Sequence, residues 1–403
     1  MALPVGFPAI DFHEFHRETL PALLAGGRHE LVARAAAHLG SIAIRLADGA
    51  AYTYRRRDAG VGIIPGDETA DTVIETDDES WQGLVHELEA PAGLLYAQRV
   101  RCARGNAIDL MAWESALRAL YNGRPPYDPI HQPLQDRHGS PLDAQASFRL
   151  TSDRDEMVHF LDTMGYLLVR EVLRPDEVAG LLAEARQLES EARQGDKLSW
   201  WGRNAAGEEV LCRVTRGVSK PGLAALPADS RLQMLKGLAD ASLVYRRGEG
   251  QGVTVIFKRP GMAEGLGDLP WHRDCGMGGH AVMCPTLVAS VYLIEATPES
   301  GELAMLPGSH RTAFNAHDRQ ASAIAHAAHF EARPGDVSLH YSDTVHAAPP
   351  PTNAQRDRYR VSAVISFASP EARHHRGEGS YNDVLHRRDD GQIEHLETFA
   401  RRM

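Results

Sequence analysis

Cysteine is scarce in this sequence of 403 residues, with four occurrences and none in CxxC spacing. The pattern excludes a disulfide framework and a zinc ribbon, and we expect free thiols in a reducing compartment. No apolar run approaches the roughly 20 residues that a membrane helix needs, and the first residues lack the basic stretch of a signal peptide. We therefore expect a cytoplasmic protein without integral membrane association.

An excess of positive charge is also missing, since the formal net charge is -11. A general attraction to nucleic acid is therefore not expected. The chain shows no internal repeat and no regular alternation of strands and helices, which disfavours a solenoid or a doubly wound sheet. Its length predicts two domains.

A proline-rich segment at 131–150 is typical of a linker, and it separates a region at 1–130 from a region at 151–403. In the first region the pattern predicts a helix ending at Gly40, a hairpin turning at Asp48 and Gly49, and a strand at 72–76. Further helices are expected around 80–88 and up to Gly123. This region is therefore predicted to be an α+β domain.

The stretch AYTYRRRDAGVGIIPGDETADTVIETDDESW, followed by WESALRALYNGRPPYD, resembles the sterol carrier protein type of lipid-binding domain over about residues 28–128. The resemblance implies a sheet and helices that enclose an apolar tunnel, and hence lipid binding or presentation. A small α+β domain used only for packing or dimerisation is the alternative, because no residue here has a chemistry that only a tunnel requires.

The second region begins with two helical patterns, for which Ser152 is the expected N-cap of the first and Pro175 lies in the first turn of the second. Short strand patterns follow, separated by Gly, Pro and Asp turns. These patterns are EVLCRVT, GVTVIFKR, TLVASVYLIEA, GELAMLP, DVSLHY and YRVSAVISF. They predict an antiparallel barrel or sandwich of the jelly-roll type with flanking helices.

The stretch WHRDCGMGGH contains His272 and Asp274, whose side chains would share one face of a strand. A histidine and a carboxylate are two members of the 2-His-1-carboxylate triad that binds non-haem iron(II) and leaves positions open. The third member must come from elsewhere, and His340 and His346 are the candidates. His346, at the end of a strand pattern, is favoured over His340 in mid-strand.

The segments ATPESGELAMLPGSHR, RPGDVSLHYSDTVHAAPPPTN and RDRYRVSAVISF resemble, in order and spacing, the phytanoyl-CoA dioxygenase family over about residues 150–385. The resemblance implies a double-stranded β-helix and a dioxygenase that requires Fe(II) and 2-oxoglutarate. It also implies His272, Asp274 and His346 as the iron ligands.

The same resemblance places the residues that hold 2-oxoglutarate. Its distal carboxylate needs a fixed cation, and the planar fork of arginine suits it. Arg360 is the match, and Arg358 is the fallback because the connection from the distal histidine contains three prolines and is longer than usual. Lys258, Ser290 and Tyr292 are also expected near the co-substrate.

Other interpretations of the motif are weaker. A kinase catalytic loop needs an asparagine where this chain has Gly279, and Cys275 would point away from the metal on a strand. Asp274 favours hydroxylation over halogenation, because halogenases replace the carboxylate. By its fusion to a lipid-binding domain the substrate is expected to be hydrophobic, such as an acyl-CoA or a sterol. A lipid carrier with a catalytically silent oxygenase-like domain is the alternative.

Overall fold

The computed structural model describes most of the chain, in nine stretches. They are residues 7–58, 60–130, 134–245, 252–264, 269–274, 286–314, 324–353, 359–370 and 396–402. Within them, no helix is both long enough and apolar enough to cross a membrane.

The amino-terminal region is α+β, as predicted. Its helices are α1 (Phe12–Glu14), α2 (Leu20–Leu23), α3 (His29–Ala35), α4 (Asp78–Val85), α5 (Pro91–Tyr96) and α6 (Ile108–Asn122), with π-helical turns at Phe15–Thr19 and Leu24–Arg28. Its strands are β1 (Ile42–Leu46), β2 (Ala51–Arg57), β3 (Gly60–Pro65), β4 (Thr72–Thr76) and β5 (Val100–Arg104). They form one mixed sheet in the order β3-β2-β1-β4-β5.

Local sequence signals set these elements. β1 and β2 pair antiparallel around the predicted turn, where Gly49 has a φ of 91° and Asp48 Oδ1 accepts from the Ala50 amide at 2.9 Å. α6 ends where Gly123 adopts the left-handed conformation, as its sequence predicted. α3 ends at Ala35, five residues before Gly40, so the predicted end of that helix was wrong.

Large side chains pack between this sheet and its helices, among them Trp81, Trp113 and Tyr52. The imidazole of His16 stacks on the Tyr52 ring with centroids 4.2 Å apart, and its Nε2 lies 2.6 Å from the Tyr54 hydroxyl. This packed aromatic core gives the predicted apolar tunnel no support.

The His16 core predicts a loss of stability in acid. Burial lowers the pKa of His16 to about 4, so its contribution is present above pH 6.5 and is lost as the pH falls towards 4. Between pH 7.5 and 4.5 this should cost about 2–3 kcal/mol of the free energy of unfolding. Urea unfolding, followed by tryptophan fluorescence, measures it. His16→Phe keeps a ring in the stack but cannot be protonated, and an equal acid loss in this variant would contradict the prediction.

Part of the predicted linker is packed against the rest of the protein. Leu134, Leu142 and Phe148 contact the hydrophobic core of the carboxy-terminal region, and residues 148–149 pair with a strand of its sheet. The prolines therefore mark a segment that follows the surface of the core. The domain boundaries themselves stay a prediction.

The carboxy-terminal region has five described helices and fourteen strands. The helices are α7 (Arg154–Met164), α8 (Pro175–Glu191), α9 (Pro221–Ala225), α10 (Ser230–Ala239) and α11 (Leu396–Ala400), with 3₁₀ turns at Gly217–Ser219, Leu226–Ala228 and Ser309–Arg311. The strands are β6 (Phe148–Arg149), β7 (Tyr166–Arg170), β8 (Ser199–Asn204), β9 (Glu209–Val214), β10 (Val244–Tyr245), β11 (Val253–Lys258), β12 (Met262–Glu264), β13 (Leu269–His272), β14 (Leu287–Tyr292), β15 (Leu303–Met305), β16 (Ala328–Phe330), β17 (Val337–Tyr341), β18 (His346–Ala348) and β19 (Arg360–Ala368).

The start of α7 corrects one expectation. Its N-cap is Asp153 and not Ser152, because the Asp153 carboxylate accepts from the amide of Glu156 at 3.0 Å. Ser152 instead accepts from the amide of Arg149 at 2.9 Å. α8 begins at Pro175, as predicted.

Two sheets share one hydrophobic core in this region. A ten-stranded sheet contains the path β12-β8-β9-β11-β19-β14-β17-β7-β6, with β10 also paired to β19, and a smaller sheet has the order β13-β18-β15-β16. Apolar side chains from both sheets and from α7, α8 and α10 belong to one core cluster. The six predicted strand patterns all form strands. The winding of a double-stranded β-helix stays a prediction.

The two faces of the large sheet differ in chemistry. Along β19, Val361, Ala363, Ile365 and Phe367 belong to the core cluster that includes the helices, while the alternate positions begin with Arg360 and are more polar. Residues directly opposite one another on paired strands point to the same face, so the ladder register extends this polar face across the sheet. This face carries the side chains of the candidate site.

Candidate metal centre

The end of β13 brings His272 beside His346, although 74 positions separate them in the sequence. β13 pairs antiparallel with β18, and His272 is the direct partner of His346 in this ladder. Their ring centroids lie 4.2 Å apart, and both side chains are buried. The pairing of these two short strands therefore places both imidazoles at one point.

Asp274 completes a group of three donors. Its Oδ1 lies 3.5 Å from His272 Nε2 and 3.8 Å from His346 Nε2. One potential ligand atom from each of these three residues lies within 4.8 Å of the others. His346 Nδ1 lies 2.9 Å from the Thr344 carbonyl, to which it would donate as the protonated nitrogen, leaving Nε2 as an electron-pair donor.

The electrostatics of the group suit a cation. Burial by itself raises the pKa of Asp274, but its interactions with the imidazoles of His346, His272 and His340 hold that pKa well below its usual value. Burial lowers the pKa of His346 well below 6.5. The carboxylate is therefore ionised and the His346 imidazole neutral, which are the protonation states that metal coordination requires.

His340 also reaches this group, although its sequence position favoured a core or surface role. It is buried on β17, and its Nε2 donates to Asp274 Oδ2 across 3.3 Å. Its ring centroid lies 4.5 Å from that of His346. Within the described residues, His340 Nδ1 has no hydrogen-bond partner. One carboxylate oxygen of Asp274 therefore faces His272 and His346, while the other accepts a hydrogen bond from His340.

The predicted co-substrate residues lie on the polar face of the large sheet. Lys258 is the ladder partner of Arg360, and Tyr292 and Ser290 lie on the same face of β14. Lys258 Nζ donates to the carbonyl of Ala348, on the strand that begins with His346. Tyr292 is fully buried, and its hydroxyl lies 3.0 Å from the hydroxyl of Ser338. Polar side chains thus extend across this face of the sheet from His346 towards Arg360.

Arg360 is buried without a complete set of hydrogen bonds. Its side chain is 2% exposed, and its Nε and Nη1 have no hydrogen-bond partner within the described residues. Burial lowers the pKa of Arg360, and Tyr292 and Glu302 partly oppose this shift. A carboxylate can accept two hydrogen bonds at once from a guanidinium, so the chemistry of this buried side chain suits an anion.

Other predicted positions have different outcomes. Arg358, Cys275, Gly279 and His280 lie outside the described residues. Trp271 packs with an apolar cluster formed by Leu306, Phe314 and Val345.

Comparison with known proteins identifies the enzyme class. Residues 161–359 match the model of the phytanoyl-CoA dioxygenase family (PhyH). This protein is a non-haem iron oxygenase that depends on 2-oxoglutarate. Iron and 2-oxoglutarate are its cofactor and co-substrate, as predicted. The family match does not reach the amino-terminal region, and the predicted sterol carrier type fusion finds no support. A comparison with curated proteins gave no match.

Several solved structures are similar to this chain over part of its length. AviO1 from Streptomyces viridochromogenes is 26% identical, with 55% of this chain and 98% of that chain covered and a TM-score of 0.44. The epimerase SnoN, in complex with Fe3+, alpha ketoglutarate and nogalamycin RO, is 20% identical over 54% and 84% of the two chains, with a TM-score of 0.43. EctD from S. alaskensis, with 2-oxoglutarate and 5-hydroxyectoine, is 21% identical over 61% and 82%, with a TM-score of 0.43.

The residues present fit both groups that the enzyme class requires. Two imidazoles and a carboxylate are the donor set of non-haem iron(II) oxygenases, and the group is compact enough for one ion. The open guanidinium nitrogens of Arg360 fit a carboxylate of 2-oxoglutarate.

Proposed function

We propose that His272, Asp274 and His346 hold the iron(II) of this oxygenase. The observation that carries the proposal is the convergence of their three donor atoms within 4.8 Å, two of them from directly paired residues of β13 and β18. Three protein ligands leave coordination positions for a co-substrate and oxygen. Cys275 is not required in this set.

We further propose that Arg360 binds the distal carboxylate of 2-oxoglutarate. Its burial and its two open nitrogens support this role. Lys258, Ser290 and Tyr292 would form the polar wall beside the co-substrate, with Lys258 fixing the strand after His346 through the Ala348 carbonyl. Arg358 stays the fallback for the carboxylate.

When bound, iron(II) would activate O2, which is the oxidant, and 2-oxoglutarate would supply two electrons as it loses carbon dioxide. One oxygen atom of O2 would then enter a substrate C–H bond, and the other would leave in succinate. The protein fixes the geometry of the site and limits the access of water. Burial of His272 and His346 excludes solvent from the two imidazoles. The hydrogen bond from His340 fixes the direction of the Asp274 carboxylate.

The proposed reaction is hydroxylation of a hydrophobic substrate, such as an acyl-CoA, a sterol or another lipid. This substrate class depends on the sterol carrier type resemblance of the amino-terminal region. The same residues would serve desaturation or epoxidation. A cytoplasmic location also stays a prediction.

Succinate release across a panel of acyl thioesters and sterols tests the function. We expect substrate-dependent succinate formation and a product heavier by one oxygen atom. Before that assay, anaerobic addition of iron(II) and 2-oxoglutarate should produce a weak visible charge-transfer band. A wild-type protein that takes up no iron and stays colourless would overturn the proposal.

Lipid binding by the amino-terminal region is tested separately. Because Leu396 and Phe399 of α11 belong to the amino-terminal core cluster, the full chain should be used and not an isolated fragment. Mass spectrometry of co-purifying lipids, together with titration of a fluorescent fatty acid, measures binding. A chain that is empty and binds no fatty acid would favour a packing role for this region.

His340 provides a sharp prediction about the metal centre. His340→Leu removes the donor to Asp274 Oδ2 and should weaken iron(II) binding by about 10-fold or more. His340→Gln retains a donor and should lose less. Anaerobic competition with a chromogenic chelator measures both affinities. Equal affinities for the wild type and the leucine variant would exclude a positioning role for His340.

A further inference from the structure

A buried arginine, Arg273, lies between the proposed ligands His272 and Asp274. Arg273 is 4% exposed, and among the described residues the acceptors of its guanidinium are all main-chain carbonyls. The acceptors are Asp343 (2.9 Å, from Nε), Phe314 (2.9 Å, from Nη1), and Thr312 (2.9 Å) and Ser309 (3.3 Å), both from Nη2. The planar fork of one arginine therefore connects two loops, residues 309–314 and residues 342–345. The single ammonium of a lysine would not reach both.

One of these loops, residues 342–345, orients the other two proposed ligands. The carbonyl of Ser342 accepts from the Asp274 amide at 2.9 Å. The carbonyl of Thr344 lies 2.9 Å from His346 Nδ1. A shift of this loop would therefore move the carboxylate and the imidazole together.

The amino-terminal region reaches the same loop through α6. Arg118, whose side chain is 6% exposed, places Nη1 3.9 Å from Asp343 Oδ1. The Nε of Arg118 lies 3.2 Å from the Glu114 carboxylate, so the guanidinium has a second acidic partner besides Asp343. Charges this well shielded from water interact more strongly than exposed surface pairs.

The second loop is also held by the amino-terminal region. The amide of Ala313 donates to the carbonyl of Pro125 at 2.8 Å, and the amide of Tyr127 donates to the carbonyl of Ala313 at 3.0 Å. The rings of Tyr127 and Phe314 meet edge to face with centroids 5.6 Å apart. Ala313 lies between two of the residues whose carbonyls hold Arg273.

We propose that Arg118 and Arg273 are positioning residues through which the amino-terminal region fixes the geometry of the iron ligands. This inference rests on the proposed function, because it needs His272, Asp274 and His346 as ligands. α6 lies before residues 161–359, so the family match does not account for it. The amino-terminal region is thus a structural part of the metal centre, whatever else it binds.

Iron affinity of the full chain tests the proposal. Apparent dissociation constants for iron(II) are measured anaerobically by competition with a chromogenic chelator. Arg273→Lys keeps the charge but cannot join both loops, and should weaken binding about 10- to 100-fold. Arg118→Met should weaken it several-fold. Arg45→Met is the matched control, because Arg45 pairs with Asp67 and Glu75 in the sheet of the same region.

Further variants distinguish a loss of ligand positioning from a loss of folding. The melting temperature of the metal-free protein reports folding, and Arg118→Lys should restore most of the iron affinity. If Arg118→Met does not fold, Asp343→Asn takes its place, since it removes the charge and keeps the carbonyl. The double variant of Arg118 and Arg273 should lose less than the product of the single losses, because both side chains act on one loop.

The outcomes are distinguishable. Unchanged iron affinity in Arg273→Lys and in the Arg118 or Asp343 variant would overturn the inference. So would fully independent losses in the double variant, or an equal loss in Arg45→Met. A wild type that binds no iron would instead contradict the proposed function.

Discussion

Asp274→Ala is expected to abolish iron(II) binding and succinate formation. Asp274 is the one anionic member of the proposed ligand set, and its pKa is held well below the usual value although burial opposes this. Its removal leaves two imidazoles and no charge to balance the cation. We expect a loss of affinity well beyond the 10- to 100-fold that outer partners cost. Iron content after anaerobic loading and succinate release are the measurements.

An exposed aspartate outside the proposed ligand set is the control for this variant. Asp240→Ala changes an exposed residue at the end of α10 and should bind iron like the wild type. The metal-free Asp274→Ala protein should still fold, because the core cluster of this region does not include Asp274. Wild-type iron content in Asp274→Ala would remove this residue from the ligand set.

Much of the fold was predictable because its signals are local. β4 begins and ends at the predicted residues, and α6 ends at a glycine that adopts the conformation its position requires. The long strands β14 and β19 could be recognised from continuous apolar and β-branched stretches. β13 and β18, with four and three residues, have too few positions for a period to appear. The strands that bring the two imidazoles together were therefore among those that the sequence pattern did not predict.

The site was predictable in its residue types and less so in its surroundings. The spacing of His272 and Asp274 predicted a shared face of one strand, but β13 ends at His272 and Asp274 lies beyond it. The family resemblance supplied His346. His340 was set aside because it lies in mid-strand. Its approach to the site depends on the register between β17 and β14, which no local pattern contains. Arg273 likewise has no sequence signal, since its partners are main-chain carbonyls 36 to 70 positions away. Such contacts are visible only in three dimensions.

Arg360→Met is expected to raise the KM for 2-oxoglutarate by about 100-fold or more. Removing the guanidinium leaves the distal carboxylate without its cation, and the loss of a buried charged partner costs about 2–5 kcal/mol. Arg360→Lys should be intermediate, because an ammonium cannot reproduce a two-point contact. Succinate release at varied 2-oxoglutarate measures the effect. An unchanged KM would exclude Arg360, and a raised KM in Arg358→Met would assign the carboxylate to the fallback.

The same substitution should stabilise the protein when no co-substrate is bound. In the described residues Arg360 Nε and Nη1 are buried without partners, and unsatisfied buried donors cost about 1–3 kcal/mol. A methionine of similar length removes that cost, so metal-free Arg360→Met should melt at a higher temperature than the wild type. With 2-oxoglutarate at about 100 times its dissociation constant, the wild type should gain about 2.7 kcal/mol and the variant almost nothing. A variant that melts below the wild type without ligand would show that Arg360 supports the fold and is not held open for an anion.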